Sequence, residues 1–288
     1  MFRFLLFKIF QFLVNIFPMT WSYRIAISLA DAYCFFNKKE QAAIKRNLQV
    51  IDPDIQDFDL CSKEVFRNFG FYLLEFLMMH KLSLRPDFEE RFEVQGFEHI
   101  QQFLDSKKPL IMATGHLGNW ELGASFFTRK GFLISVVALP HKEKLVNNFF
   151  DKQRESYGVK VVSTEHSVRL CLKALQEKRV LAIVSDKDFS GTGRIVKLFG
   201  KDVCLPRGAA LFAHRVKASV APVFILRKGN GRFIVKIFPL ITFEDYQKSK
   251  EHDTISYEDH VMLQYTAVLE QIIKQYPSQW IVFKEFWK

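Results

Sequence analysis

Pro109-Leu110-Ile111-Met112-Ala113-Thr114-Gly115-His116-Leu117-Gly118-Asn119-Trp120-Glu121-Leu122-Gly123 is the stretch that decides how this chain is read. Residues 109–113 are apolar without alternation, as in a strand covered on both faces. Gly115 and Gly118 then let the backbone turn and approach a neighbour closely, and a helical pattern follows over 119–129. In open α/β sheets, ligands bind at the carboxyl ends of strands, at such turns. His116 sits in the turn and Glu121 about one helical turn beyond it. On one continuous helix, five residues would set the two about 140° apart. They meet only if His116 lies ahead of the helix and folds back.

Working outward, further β-rich runs fall at 92–95, 132–138, 159–162, 180–184, 220–226 and 233–238. Helical stretches separate most of them, at 143–157, 165–177 and 207–217, and a last helix covers about 256–275. Upstream, 38–50 and 60–81 read as helices divided by Asp52-Pro53-Asp54. Alternating β and α of this kind predicts an α/β fold with a largely parallel mixed sheet flanked by helices. No repeat or low-complexity linker interrupts it. The expected organisation is a helical, membrane-associating extension over 1–36 and one catalytic domain over 37–288.

That extension rests on residues 1–17, a run of Phe, Leu, Ile and Val broken by Lys8, Gln11 and Asn15. No small-residue cleavage site follows, so a secretory signal is not indicated. A spanning helix needs about 20 mostly apolar residues, and Pro18 cuts this one short. The polar positions are spaced by three and four and share one helical stripe. An interfacial helix is expected, its polar stripe among lipid headgroups and the opposite face in the acyl region. A second helix is expected over roughly 20–36. A short tilted span and a docked core helix are the alternatives.

Composition agrees with a folded domain carrying a greasy edge. Of the 288 residues 49% are hydrophobic, which fits neither a disordered chain nor a multi-pass membrane protein, and 31 are Phe. The net charge is +10, and half the excess lies in residues 1–50, where seven bases face two acids. Bases interleaved with Phe, Leu and Ile point to an anionic membrane surface; no nucleic-acid-binding signature accompanies them. Cys34, Cys61, Cys171 and Cys204 are scattered without metal spacing and read as thiols in a reducing compartment.

His116 and Glu121 form a chemically sensible pair. An imidazole can take a proton from an alcohol, and a carboxylate fixes its tautomer and stabilises the imidazolium. The same spacing also suits a helix-capping histidine followed by a first-turn acid. Spacing alone does not choose between them. No G-x-S-x-G elbow, zinc motif, Walker A or G-x-G-x-x-G is present. His80, His99, His141, His166, His214, His252 and His260 form no metal-ligand set and read as surface or packing residues.

Several blocks, in order over roughly 20–288, resemble the bacterial lipid A biosynthesis acyltransferases of the lysophospholipid acyltransferase-like superfamily. They are Ala113–Glu121 with its N-W-E ending; Lys144–Gly158 with Arg154 shortly before Gly158; and Ser185-Asp186-Lys187-Asp188-Phe189 in the place of a D-Q-D strand end. Phe199-Gly200, Pro206-Arg207-Gly208-Ala209-Ala210, Ala221-Pro222-Val223 and the closing Pro277-Ser278-Gln279-Trp280 complete the series. The resemblance implies a glycerolipid acyltransferase-like fold at the cytoplasmic face of the inner membrane. It also implies His116 as general base with Glu121 as its partner, and attack of a hydroxyl on an acyl thioester with no acyl-enzyme, metal or cofactor. The implied donor is an acyl carrier protein and the implied acceptor a lipid A-type precursor.

Arg154, Asn119, Asp186, Asp188 and Arg207 are the candidate substrate contacts. Arg154 reads either as a phosphate or oxyanion ligand or as a solvated helix arginine. Asp186 and Asp188 read either as sugar ligands or as acids that order loop 189–194. Lys187 replaces the usual Gln, and the tail 280–287 lacks the family's histidine–arginine pair. Both departures leave the acceptor open to other glycolipids, glycerolipids or aminolipids. A non-catalytic membrane-binding scaffold is the reading from a different class.

Overall fold

A computed structural model describes residues 1–104, 108–163, 167–189, 191–229, 231–249 and 253–287. His166, His252 and the first two residues of the helix expected at 165–177 lie outside them, as does Ser190 of loop 189–194. Five helices come first: α1 (Phe2–Ile16), α2 (Met19–Phe36), α3 (Lys38–Ile51), α4 (Phe58–Leu77) and α5 (Met79–Ser83). Strands and helices then alternate: β1 (Phe92–Gln95), α6 (Glu98–Gln101), β2 (Leu110–Thr114), α7 (Trp120–Arg129), β3 (Ile134–Ala138), α8 (Lys144–Glu155), β4 (Lys160–Ser163), α9 (Ser167–Gln176) and β5 (Val180–Val184). The remainder is β6 (Arg194–Leu198), β7 (Lys201–Leu205), α10 (Gly208–Val216), β8 (Ser219–Gly229), β9 (Arg232–Ile237), α11 (Phe243–Lys248) and α12 (Tyr257–Gln275).

The main sheet has seven strands in the order β1-β9-β8-β2-β5-β3-β4. Five neighbouring pairs are parallel and β8–β9 is antiparallel, so the expected largely parallel mixed sheet is present. Alternate residues of β2 enter opposite cores. Ile111 and Ala113 pack in the cluster that holds α3, α10 and α12 residues, and Leu110 and Met112 in the one with α4, α7 and α8 residues. That two-sided burial is why 109–113 reads as an unbroken apolar run.

The hairpin β6–β7 stands apart as a two-stranded sheet and was absent from the expected strands. Its Arg194, Lys197, Lys201 and Asp202 give a poor strand signal. Its turn is made by Phe199 (φ 52°) and Gly200 (φ 73°), two consecutive positive-φ residues of the kind that closes tight hairpins.

Helix α1 packs on the protein through Phe4, Phe7 and Val14, while of its polar stripe Gln11 is half-buried and Lys8 and Asn15 are exposed. Gln11 Nε2 donates to Gln153 Oε1 at 3.1 Å, Lys81 Nζ to the Asn15 carbonyl at 3.0 Å, and Lys8 sits over the Phe149 ring. Phe7 stacks on Phe149 at 5.9 Å. The face carrying Leu5, Ile9, Phe12 and Ile16 is exposed. Among the described residues, no helix is long and apolar enough to cross a membrane.

Candidate active site

Strands β2 and β5 are in register with Thr114 opposite Val184, and Ser185 N extends the ladder by donating to the Thr114 carbonyl at 2.7 Å. Two residues beyond the end of each strand stand His116 and Asp186. The His116 backbone N–H donates to Asp186 Oδ2 at 2.9 Å, and its Nδ1 lies 2.6 Å from Asp186 Oδ1. Trp280 Nε1 donates to the same Oδ2 at 2.8 Å. Asp186 is fully buried, whereas the His116 side chain is 22% exposed. Burial by itself would raise the Asp186 carboxyl. His116 and, more weakly, Lys187 outweigh it and hold Asp186 well below the usual carboxylate range.

The turn carrying His116 is clamped from several directions. Gly118 has φ 57°, and a Cβ there would fall 2.1 Å from the Ile225 carbonyl oxygen, so only glycine fits. Gly118 N donates to the Gln279 carbonyl, Asn119 N to the Ile225 carbonyl, and Ile281 N to the His116 carbonyl. The Gln279 side chain in turn accepts from Arg227 N and donates to the Arg227 carbonyl. The closing Pro277–Trp280 block therefore belongs to the site. The sequence marked that block as characteristic but offered no sign of what it touches.

Glu121 is not the partner of His116. Helix α7 begins at Trp120, so His116 does lie ahead of the helix, yet it folds toward β5 instead of toward Glu121. The Glu121 carboxylate accepts from Arg154 Nη2 at 2.5 Å and from Arg154 Nε at 3.0 Å, both side chains being about nine-tenths buried. Arg154 also reaches Asp151 at 3.4 Å. Burial works against the Arg154 charge, but Glu121 more than offsets it and raises the guanidinium above its ordinary value. Arg154 is thus neither a solvated helix arginine nor an unpaired cation.

Asn119 is completely buried and faces away from the cavity described next. Its Oδ1 accepts from Leu122 N at 3.0 Å, capping α7, and its Nδ2 donates to Glu75 Oε2 at 2.7 Å. Glu75, also fully buried, is paired with Arg227 and accepts from Tyr23 Oη at 2.5 Å. Asn119 is a structural cap and not a substrate contact. Asp188 accepts from Gly193 N at 3.0 Å, which is the loop-ordering role. Arg207 pairs with Glu258 at 2.8 Å and is 39% exposed. Lys187 Nζ donates to the Ile281 carbonyl; burial lowers its pKa from the ordinary lysine value, with Asp186 opposing.

His116, Glu121, Arg154, Lys187, Asp188 and Arg207 all line one cavity of about 600 Å³. Met112, Phe127, Ile134, Val136 and Ala182 line it too, so an apolar recess adjoins a polar mouth. His141 reaches the cavity wall, 4.4 Å from the Phe150 ring, and burial followed by Arg154 lowers its pKa. Among the described residues, His116 Nε2 has no hydrogen-bond partner. The arrangement can take a proton at that nitrogen while a buried carboxylate steadies the imidazolium.

A protein family described as bacterial lipid A biosynthesis acyltransferase matches residues 1–288. A phosphatidylinositol mannoside acyltransferase of Mycolicibacterium smegmatis is 24% identical, over 69% of this chain and 63% of the relative. A protein of the same name from Mycobacterium tuberculosis is 27% identical over 48% of this chain and 45% of the relative. A lipid A biosynthesis acyltransferase of Haemophilus influenzae is 24% identical over 54% and 50%. The chain therefore spans between 45% and 63% of the length of these relatives.

Proposed function

The chain belongs to the bacterial lipid A biosynthesis acyltransferase family, and we propose that it moves a fatty acyl chain from a thioester to a hydroxyl of a glycolipid. The observation that carries this reading is the His116–Asp186 pair at the mouth of an apolar cavity. The thioester's hydrocarbon chain occupies the recess beside Met112, Phe127 and Val136. His116 Nε2 takes the proton of the acceptor hydroxyl as its oxygen bonds to the thioester carbon. The tetrahedral intermediate then collapses, the C–S bond breaks, and the proton passes from His116 to the leaving sulfur. Asp186 stabilises the imidazolium between these steps. Glu121 acts through Arg154, holding that cation against the cavity wall, where it offsets negative charge on the reacting carbonyl or on an acceptor phosphate.

The donor in this proposal is an acyl carrier protein, an acidic partner suited to a net charge of +10, and no cofactor takes part. The acceptor is a lipid A-type precursor at the cytoplasmic face of the inner membrane, reached by the exposed apolar face of α1. A second reading keeps the chemistry and replaces the acceptor with an inositol mannoside lipid. The names of the mycobacterial relatives favour it.

The deciding assay offers an acyl carrier protein thioester with each of the two glycolipids and reads the products by mass. One glycolipid should gain a single ester-linked acyl chain with the wild-type protein and none with His116→Ala, whose circular dichroism and cooperative unfolding show that it is still folded at the assay temperature. Equal turnover by His116→Ala would remove the mechanism, and no transfer to either lipid would remove the acceptor class.

A further inference from the structure

Beside the His116 cavity lies a second, larger one of about 1120 Å³, lined by α1, α2 and α4. Its α4 side is closed, since Leu74 and Leu77 are only 5% and 7% exposed. Its other side is open: Phe10 of α1 and Leu29 of α2 line it and are 41% and 52% exposed. Segment 139–143 divides the two cavities. Leu139 lines the first, Pro140 and Lys142 line the second, and His141 lines both.

We propose that this groove holds the hydrocarbon chain that the acceptor lipid already carries. The inference rests on the acyltransferase reading and adds the acceptor's seat to it. Two chains must be kept out of water at once, the one being transferred and the one anchoring the acceptor. The His116 cavity has a single apolar recess for the first. The second needs an apolar slot within a headgroup's reach of His116, and the groove shares a wall with that cavity. Leu6, Leu13, Phe17 and Ile25, also exposed on α1, α2 and the turn between them, line the groove's open side with Phe10 and Leu29. They let a chain slide in laterally from a lipid layer without crossing water. Lys142, which has no ion-pair partner among the described residues, lines the same groove and suits a phosphate between chain and sugar, whereas Arg3 there already pairs with Glu143 at 3.7 Å. Each buried methylene strengthens such binding about fourfold.

The test uses the full chain and phosphatidylinositol with a diazirine at the end of one acyl chain, carried in phosphatidylcholine vesicles. After irradiation, peptide mass mapping should place the label on Leu73, Leu74 and Leu77. Leu73→Trp, which fills the groove, and Leu73→Gln, which makes it polar, should both lose that label and keep any on Phe12 and Trp21. The same variants should lower kcat/KM at least tenfold for a long-chain glycolipid acceptor and leave a short-chain, water-soluble acceptor unchanged. Label confined to the outer side chains of α1 and α2, or found at Met112 and Phe127, overturns the proposal. Labelling needs no turnover, so α4 labelling by a protein that transfers no acyl chain would leave the groove standing and remove the acyltransferase reading.

Discussion

His116 and Asp186 hold each other twice, through the imidazole Nδ1 at 2.6 Å and the His116 backbone N–H at 2.9 Å, although 70 residues separate them in the chain. The same carboxylate is pinned from a third side by Trp280. In the proposed role of general base, an imidazole fixed in this way needs no reorganisation when it takes a proton, since its tautomer and ring plane are already set.

Asp186→Asn should therefore act on catalysis before stability. The amide cannot neutralise an imidazolium, and kcat should fall by about 10²–10⁴. KM should stay within a few-fold, because Asp186 is buried behind His116. Steady-state kinetics beside a thermal melt checks this. A variant retaining more than a tenth of wild-type kcat would mean that Asp186 only positions the loop.

Glu121 and Arg154 should behave as a buried ion pair. Glu121→Ala strands a guanidinium in the interior and should cost about 3–5 kcal/mol of stability. The double variant Glu121→Leu/Arg154→Met should regain most of that stability and none of the activity, as read by urea unfolding and acyl transfer. Activity returning together with stability would show that the pair is structural.

Asn119→Ala removes the cap of α7 and leaves Glu75 without one of its donors. A loss of about 1–3 kcal/mol is expected, with a smaller fall in kcat as the His116 turn loosens. Chemical denaturation gives the first quantity and kinetics the second.

Acid should expose the Asp186 contribution. Its folded carboxyl is held below its unfolded value, near 3.9 in model peptides, so in that range the unfolded chain binds the extra proton. The stabilisation is complete above about pH 4 and is lost as pH falls through the folded value. Unfolding free energies of wild type and Asp186→Asn, measured between pH 3 and 6, should converge toward the acid end. Curves that stay parallel would contradict the assignment.

Local patterns carried most of the architecture. The unalternated run 109–113, the glycines after it and the helical period from 119 onward establish strand, turn and helix, because each depends on neighbours within a few residues. They also set His116 in the turn, while Arg154, Asp188 and Arg207, which line the same cavity, were marked only by the resemblance to the acyltransferase blocks. The partner of His116 was decided elsewhere. It follows from β2 pairing in register with β5 and from the C-terminal Trp280 closing over both, contacts between residues far apart in the chain that no local period encodes. The burial that turns Asn119 from a supposed substrate contact into a cap has the same origin. A side chain's type and spacing say what it can bond. Only the packed tertiary structure says which of several acids, Glu121 or Asp186, stands beside it.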